Sequence, residues 1–169
     1  GGNASGRTTS AWRRAIAAAF PHTVPVLTGY LVLGAAYGVL MQSKGFGAPW
    51  VLLMSAVAFC GSMQFAAITL LTSAFDPLGA FIMSVMVNAR HLFYGVSMLE
   101  KYRGLGGAKP ILIYTLSDET FSVVFSAEPS PDVSRKDFYL AISLLDYAYW
   151  VGGCLLVHGL RCRLLVCGL

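Results

Sequence analysis

Charge is scarce in this sequence. Of 169 residues only 12% are Asp, Glu, Lys or Arg, about half the ~25% of an ordinary soluble domain. Hydrophobic residues make up 56%, and the mean hydropathy is +0.66. So few charges cannot cover a globular surface with polar groups, which excludes an ordinary water-soluble domain. Three stretches hold no charge at all: residues 23–42, 51–75 and 77–89. A helix needs ~20 apolar residues to cross the hydrocarbon core. Several such runs predict an all-α fold, a polytopic transmembrane helix bundle.

Other absences narrow the function. The four cysteines, Cys60, Cys154, Cys162 and Cys167, form no CxxC pair. Cys154, His158 and Cys162 share a helix face at i, i+4, i+8, a spacing that can hold a metal; cysteine is also a routine small apolar residue in buried helices, and that reading is preferred. No HExxH or GxSxG pattern supports an enzyme, no aromatic-basic repeat supports nucleic-acid binding, and no cofactor is expected. Arg7, Arg13 and Arg14 resemble the start of a signal peptide, but the apolar stretch after them is too long and ends in no small-residue cleavage site.

What is there reads as five apolar segments, near 23–42, 50–73, 78–98, 110–127 and 138–160. Residues 1–22 form a cytoplasmic arm, in which Trp12, Ile16 and Ala19 share one face, so residues 10–20 are expected along the membrane surface. The transmembrane domain is 23–160, followed by a short basic tail, 161–169. Asp76-Pro77 breaks the second segment from the third, and Ser134-Arg135-Lys136-Asp137 fits a capping box that opens the last helix. If all five segments cross simply, Lys and Arg divide five against six between the two sides, which is no bias. If residues 50–98 cross an odd number of times, through a broken or re-entrant helix, the division becomes eight against three, with the N-terminus inside. Cys60-Gly61-Ser62-Met63-Gln64 is the expected break, because non-helical backbone at membrane depth must be buried in protein or line a wet cavity.

Polar groups stand out against this background. On a helix Ser84, Asn88, His91 and Gly95 form one stripe, with Arg90 and Tyr94 beside it. A charge at mid-membrane costs at least ~2.5–3.5 kcal/mol, so Arg90 either snorkels to an interface or faces the bundle interior with partners. Ser117-Asp118-Glu119-Thr120 cover every side of a helix, so segment 110–127 either does not span or is interrupted where it lines water. Asp118 and Glu119 are natural partners for Arg90 and His91. Gly61-Ser62-Met63-Gln64-Phe65 can present free N–H groups to an anion. Gly34 and Gly38 read as a helix–helix contact. Asp146 is either a third carboxylate in the cavity or a hydrogen-bonding group between helices.

These stretches resemble the AzlC family, the large subunits of branched-chain amino acid exporters. The resemblance runs from Phe20 to Gly159. It is carried by Gly29-Tyr30, Gly34-Ala35-Ala36-Tyr37-Gly38, Phe59-Cys60-Gly61-Ser62-Met63-Gln64-Phe65, Asn88-Ala89-Arg90-His91-Leu92-Phe93-Tyr94-Gly95, Asp118-Glu119-Thr120-Phe121 and Tyr149-Trp150. It implies a secondary transporter of the bacterial cytoplasmic membrane that exports valine, leucine, isoleucine and methionine, together with a small membrane partner of the AzlD type. The tail after residue 160 departs from the family, and the chain is expected to be truncated at its C-terminus. Homo-oligomerisation stays open.

The function expected is proton-coupled export of a zwitterionic amino acid across the lipid bilayer. Gly61, Ser62, Gln64, Asn88, Arg90 and Tyr94 are the substrate-binding candidates, with Arg90 or the N–H groups near Ser62 on the carboxylate. Asp118 or Glu119, with Gln64 and Asn88, would take the ammonium. His91, Asp118 and Glu119 are the proton-coupling candidates. Phe59, Met63, Phe65 and Met86 are candidate walls for an apolar side chain. The rivals are a structural membrane subunit without transport of its own and, less favoured, an intramembrane enzyme.

Overall fold

The computed structural model describes the backbone of residues 3–74 and 76–166, and their side chains except those of residues 3–8, 158 and 160–166. The side chains of Arg7, His158 and the tail, Cys162 and Cys167 included, lie outside the described residues. Among the described residues the elements are all helical: α1 (Asn3–Ser43), α2 (Ala48–Val57), α3 (Gly61–Thr72), α4 (Pro77–Asn88), α5 (Arg90–Lys101), α6 (Lys109–Tyr114), α7 (Asp118–Ser126) and α8 (Arg135–Val166). A 3-10 turn, Gly106–Ala108, leads into α6.

Two helices, over Thr9–Ser43 and Arg135–Val157, are apolar and long enough to cross a bilayer. The second has 23 residues and at 1.5 Å per residue reaches ~35 Å, against ~30 Å of hydrocarbon. α1 carries Pro21 and Pro25 inside it, each removing one backbone donor. Thr23 Oγ1 donates to the Phe20 carbonyl at 3.0 Å, within this weakened stretch. Residues 10–20 run on into the span without a break, and Ala15 and Ala19 are fully buried in a cluster with Phe138 and Ile142.

α1 and α8 lie along each other and run parallel, since their contacts advance together. The His22 ring meets Phe138 at 5.9 Å and Tyr30 meets Trp150 at 5.2 Å. Further along, Gly34 faces Gly153 and Cys154, and Gly38 faces Cys154 and Val157. A Cβ at Gly34 would stand 2.8 Å from the Cys154 nitrogen, and one at Gly38 2.5 Å from its carbonyl oxygen. The two glycines are thus the helix–helix contact expected of them: only hydrogen lets the backbones approach so closely.

Between these two helices the chain must return once from the far end of α1 to the near end of α8. α2 runs inward from the far end, and the Tyr114 and Tyr147 hydroxyls donate to the carbonyl at its tip, Ala56, at 2.7 and 2.8 Å. The chain then breaks at 58–60 and α3 turns back, with Phe65 against Tyr37 at 5.5 Å. The break meets the stretch expected to hold it at Cys60, and residues 61–64 form the first turn of α3. α4, capped by Asp76 Oδ1 accepting from the Gly79 N–H at 3.0 Å, and α5 together make the return crossing. Their joint, Ala89, keeps helical dihedrals.

Segment 110–127 does not cross, which corrects both charge tallies above. α6 runs inward, the chain breaks at 115–117, and α7 returns to the end it came from. There Lys101 Nζ donates to the Val124 carbonyl at 2.9 Å, and Arg135 Nη2 to the Lys101 carbonyl at 3.2 Å. The reason is local: four polar residues in a row, 117–120, leave no apolar face to continue through the bilayer. The loop 128–137 therefore lies at the same end as the 99–109 loop and the start of α1, not opposite them.

The two hairpins are copies of one plan in opposite orientation. Tyr37-Gly38-Val39 and Met41 at the end of α1, with Lys44 just after it, recur at the same spacing as Tyr94-Gly95-Val96, Met98 and Lys101 at the end of α5. Each is followed by a turn with a glycine at positive φ, Gly45 (85°) or Gly104 (80°). Next comes a short helix with proline in its first turn, then a break, then a returning helix bearing Phe65 or Phe121. Because α1 and α5 run oppositely, the hairpins enter from opposite ends, the inverted arrangement of many membrane transporters. Two apolar clusters pack the ends: Tyr102, Leu112, Phe138 and Ile142 at one, Tyr37, Met41, Val51 and Ile68 at the other. The outside is apolar too, with Leu92 and Phe93 each 74% exposed, the surface of a protein whose solvent is lipid.

Candidate functional site

The tips of the two hairpins meet at mid-bundle. Cys60 precedes α3 in extended conformation, and Ser117 caps α7, its Oγ accepting from the Thr120 N–H at 3.1 Å. Both helices thus begin here and present the positive ends of their dipoles. Arg90, the first residue of α5, joins the tips: Nη1 pairs with Asp118 Oδ2, Nη2 donates to Ser62 Oγ, and Cys60 Sγ lies 3.8 Å from Nη2.

Around this junction is a cavity of about 270 Å³, just under the ~300 Å³ at which small-ligand pockets begin. Arg90, His91, Gly61, Ser62, Asp118 and Glu119 supply its polar side, Leu33, Phe59, Phe65 and Trp150 its apolar side. Among the described residues Arg90 Nε, His91 Nδ1 and Asp118 Oδ1 are buried without a hydrogen-bond partner. Such atoms cost free energy unless something completes them. Glu119 accepts from Tyr30 OH at 2.8 Å. Tyr30, Leu33, Asp118 and Glu119 also line a second cleft that passes Ser122 and Ser126 toward His22, so they stand between the cavity and one end of the bundle.

Six of the nine site candidates are therefore together: Gly61, Ser62, Arg90, His91, Asp118 and Glu119. Gln64, Asn88 and Tyr94 are not in the cavity lining. Gln64 is fully buried, donating to the Met54 carbonyl at 2.7 Å and accepting from Trp150 Nε1 at 3.0 Å. Asn88 turns back onto its own helix, donating to the Ser84 carbonyl at 2.8 Å. Tyr94 stacks on Phe121 at 4.4 Å. The stripe expected from Ser84 to Gly95 is not one cavity wall; of its members only His91 lines the cavity, and α4 has no buried residue, although Cys60 at the first tip donates to Asn88 Oδ1 at 3.9 Å. Met86, 73% exposed, is no wall of the pocket. Leu33, Tyr30 and Trp150 were not among the candidates, and Ser117 was named only within the polar run 117–120. Tyr30, Gly34, Tyr37 and Met41 share one helical face with the contact glycine, and that periodicity was the signal for Tyr30. Cys154 is buried at the α1–α8 contact.

The family described as AzlC protein matches residues 25–159. The branched-chain amino acid transport protein AzlC of Bacillus subtilis is 47% identical over 139 residues, 82% of this chain and 55% of that protein. An uncharacterized membrane protein of Helicobacter pylori is 40% identical over 81% of this chain and 60% of its own length, and one of Archaeoglobus fulgidus is 32% identical over 78% and 56%. The chain thus spans a little over half the length of the curated relatives it matches. No solved structure matches it significantly. This is an all-α membrane protein, and on a family match that covers most of its length the chain belongs to the AzlC family.

Proposed function

We propose that this chain forms the substrate-binding core of a secondary transporter that exports branched-chain amino acids, coupled to protons and working with a small AzlD-type membrane subunit. The observation that carries the reading is Arg90, held by Asp118 and Ser62 across two opposed hairpin tips beside an apolar wall. A zwitterionic amino acid has a carboxylate, an ammonium and, here, a branched side chain. Arg90 and the α3 N-terminus favour the carboxylate, Asp118 and Glu119 the ammonium, and Leu33, Phe59 and Phe65 the side chain. The substrate carboxylate competes with Asp118 for Arg90, so binding loosens the lock between the hairpins. That gives alternating access its trigger. Glu119, with His91 and Asp118, carries the coupled proton; one charge moving through 100 mV gains ~2.3 kcal/mol. The name of the Bacillus subtilis relative supports the substrate class.

The end that gathers the N-terminal arm and the 99–109 and 128–137 loops holds eight of the Lys and Arg residues, against three at the other end. This bias supports a cytoplasmic N-terminus in the inner membrane. The Bacillus subtilis relative is named as a transport protein, which supports transport without chemistry. The test is efflux of labelled leucine from vesicles carrying the protein with its small partner. Arg90→Ala and Glu119→Gln are expected to abolish protein-dependent efflux; wild-type rates in both variants would remove these residues from the mechanism.

A further inference from the structure

Asp146 lies in α8, fully buried, outside the cavity lining, and none of the roles above uses it. A carboxylate in a membrane bundle is costly and marks a functional group by default. Its Oδ2 accepts from Thr120 Oγ1 at 2.8 Å, while Oδ1 has no partner among the described residues. From Thr120 the contacts continue without a gap: Thr120 Oγ1 to Ser117 Oγ at 3.1 Å, Ser117 Oγ to Tyr30 OH at 2.7 Å, and Tyr30 OH to Glu119 Oε2 at 2.8 Å. Three hydroxyls in series thus connect a buried carboxyl group to one that faces the cavity.

We propose that Asp146 is a second proton-carrying group and that Thr120, Ser117 and Tyr30 relay one proton between it and Glu119. The assignment deepens the proton coupling proposed above and rests on it. Each hydroxyl has one proton to donate and a lone pair to accept, so the chain has two complete arrangements. In the first, protonated Asp146 donates to Thr120, Thr120 to Ser117, Ser117 to Tyr30, and Tyr30 to ionised Glu119. In the second every bond is reversed, Glu119 holds the proton and Asp146 the charge. Passing from one to the other breaks four O–H bonds and forms four. It leaves the three hydroxyls chemically unchanged and moves one proton from Asp146 to Glu119, with no other reactant.

The charged and titratable groups around this chain are Asp118 beside Glu119 on α7, Arg90, His91 and Tyr94 on α5, and His22 on α1 along the second cleft. Arg90 is engaged by Asp118, so the direct neutralising partner of Glu119 is the relay itself. When a substrate ammonium arrives near Glu119, the ionised form is favoured there and the proton is driven toward Asp146. Substrate binding and proton position are then linked through contacts 2.7–3.1 Å long.

The test uses the full chain with its small partner in proteoliposomes, and infrared spectra of the same protein. Thr120→Val removes the hydroxyl that contacts Asp146 at nearly constant shape; Thr120→Ser restores it. The expected result is that Thr120→Val loses leucine accumulation driven by a proton gradient, keeps leucine–leucine exchange, and that Thr120→Ser regains accumulation. Gradient-driven accumulation at the wild-type rate in Thr120→Val would overturn the relay. The spectra need no transport. A protonated-carboxyl band is expected in the wild type at neutral pH and is expected to vanish in Asp146→Asn; identical spectra for the two proteins overturn the role of Asp146. If the wild type exchanges no leucine, the export reading fails and the spectra alone decide whether Asp146 binds a proton.

Discussion

Trp150 donates its indole N–H to Gln64 Oε1 over 3.0 Å, and Gln64 Nε2 donates in turn to the Met54 carbonyl at 2.7 Å. One side chain thus ties α8 to both arms of the first hairpin. The break at 58–60 leaves backbone groups without helical partners, and this tie holds the two arms together across it.

Gln64→Leu fills a similar volume but strips both bonds, leaving the buried indole N–H of Trp150 unpaired at a cost of about 1–3 kcal/mol, while the Met54 carbonyl keeps the Ala58 N–H. The melting temperature in detergent should fall by several degrees. An unchanged melting temperature would show that the hairpin is held by apolar packing alone.

The α1–α8 contact can be tested with glycines of opposite surroundings. A Cβ at Gly38 would stand 2.5 Å from the Cys154 carbonyl oxygen, whereas at Gly29 nothing lies within 4 Å. Gly38→Leu should separate the helices and destabilise the protein by at least the ~1–3 kcal/mol of ordinary overpacking. Gly29→Leu should melt close to wild type. Equal losses in both would point to a general intolerance of bulk in α1.

The inverted hairpins make a topological prediction. In a background with the native cysteines replaced by alanine, cysteines at Gly104 and Ser130 should react with an impermeant thiol reagent from the same side. A cysteine at Gly45 should react from the opposite side. Labelling of positions 104 and 130 from opposite sides would require α6 and α7 to cross the membrane.

Parts of this arrangement were legible in the sequence because one residue type admits few alternatives. Gly34 and Gly38 in an apolar run announce a close helix contact. Asp76-Pro77 announces a helix start, and a polar run such as 117–120 cannot sit in a continuous span. Arg90 had to find partners, and Asp118 and Ser62 are among them. The direction of α8 was not legible, since an apolar segment reads the same whichever way it crosses. Gln64 looked like a ligand group because it is polar, yet its environment is set by Trp150, 86 positions away. Asn88 and Tyr94 stand beside the site without lining it: Asn88 meets Cys60 Sγ at 3.9 Å while its amide turns back to Ser84, and Tyr94 stacks on Phe121. Tyr30 stood only in a stretch that carries the family resemblance, with no role assigned to it; the chain folding back at 115–117 puts Glu119 within reach of its hydroxyl.

The central claim is that Arg90, between two hairpin tips, receives the carboxylate of a branched amino acid. Its most direct test is binding of labelled leucine to the purified protein in lipid nanodiscs, with unlabelled leucine and leucinol as competitors and Arg90→Lys as the variant. Saturable binding is expected, displaced by leucine but not by leucinol, which lacks the carboxylate. Arg90→Lys should bind more weakly, because the ammonium cannot reproduce the guanidinium fork. Displacement by leucinol as effective as by leucine, with affinity unchanged in Arg90→Lys, would contradict the account.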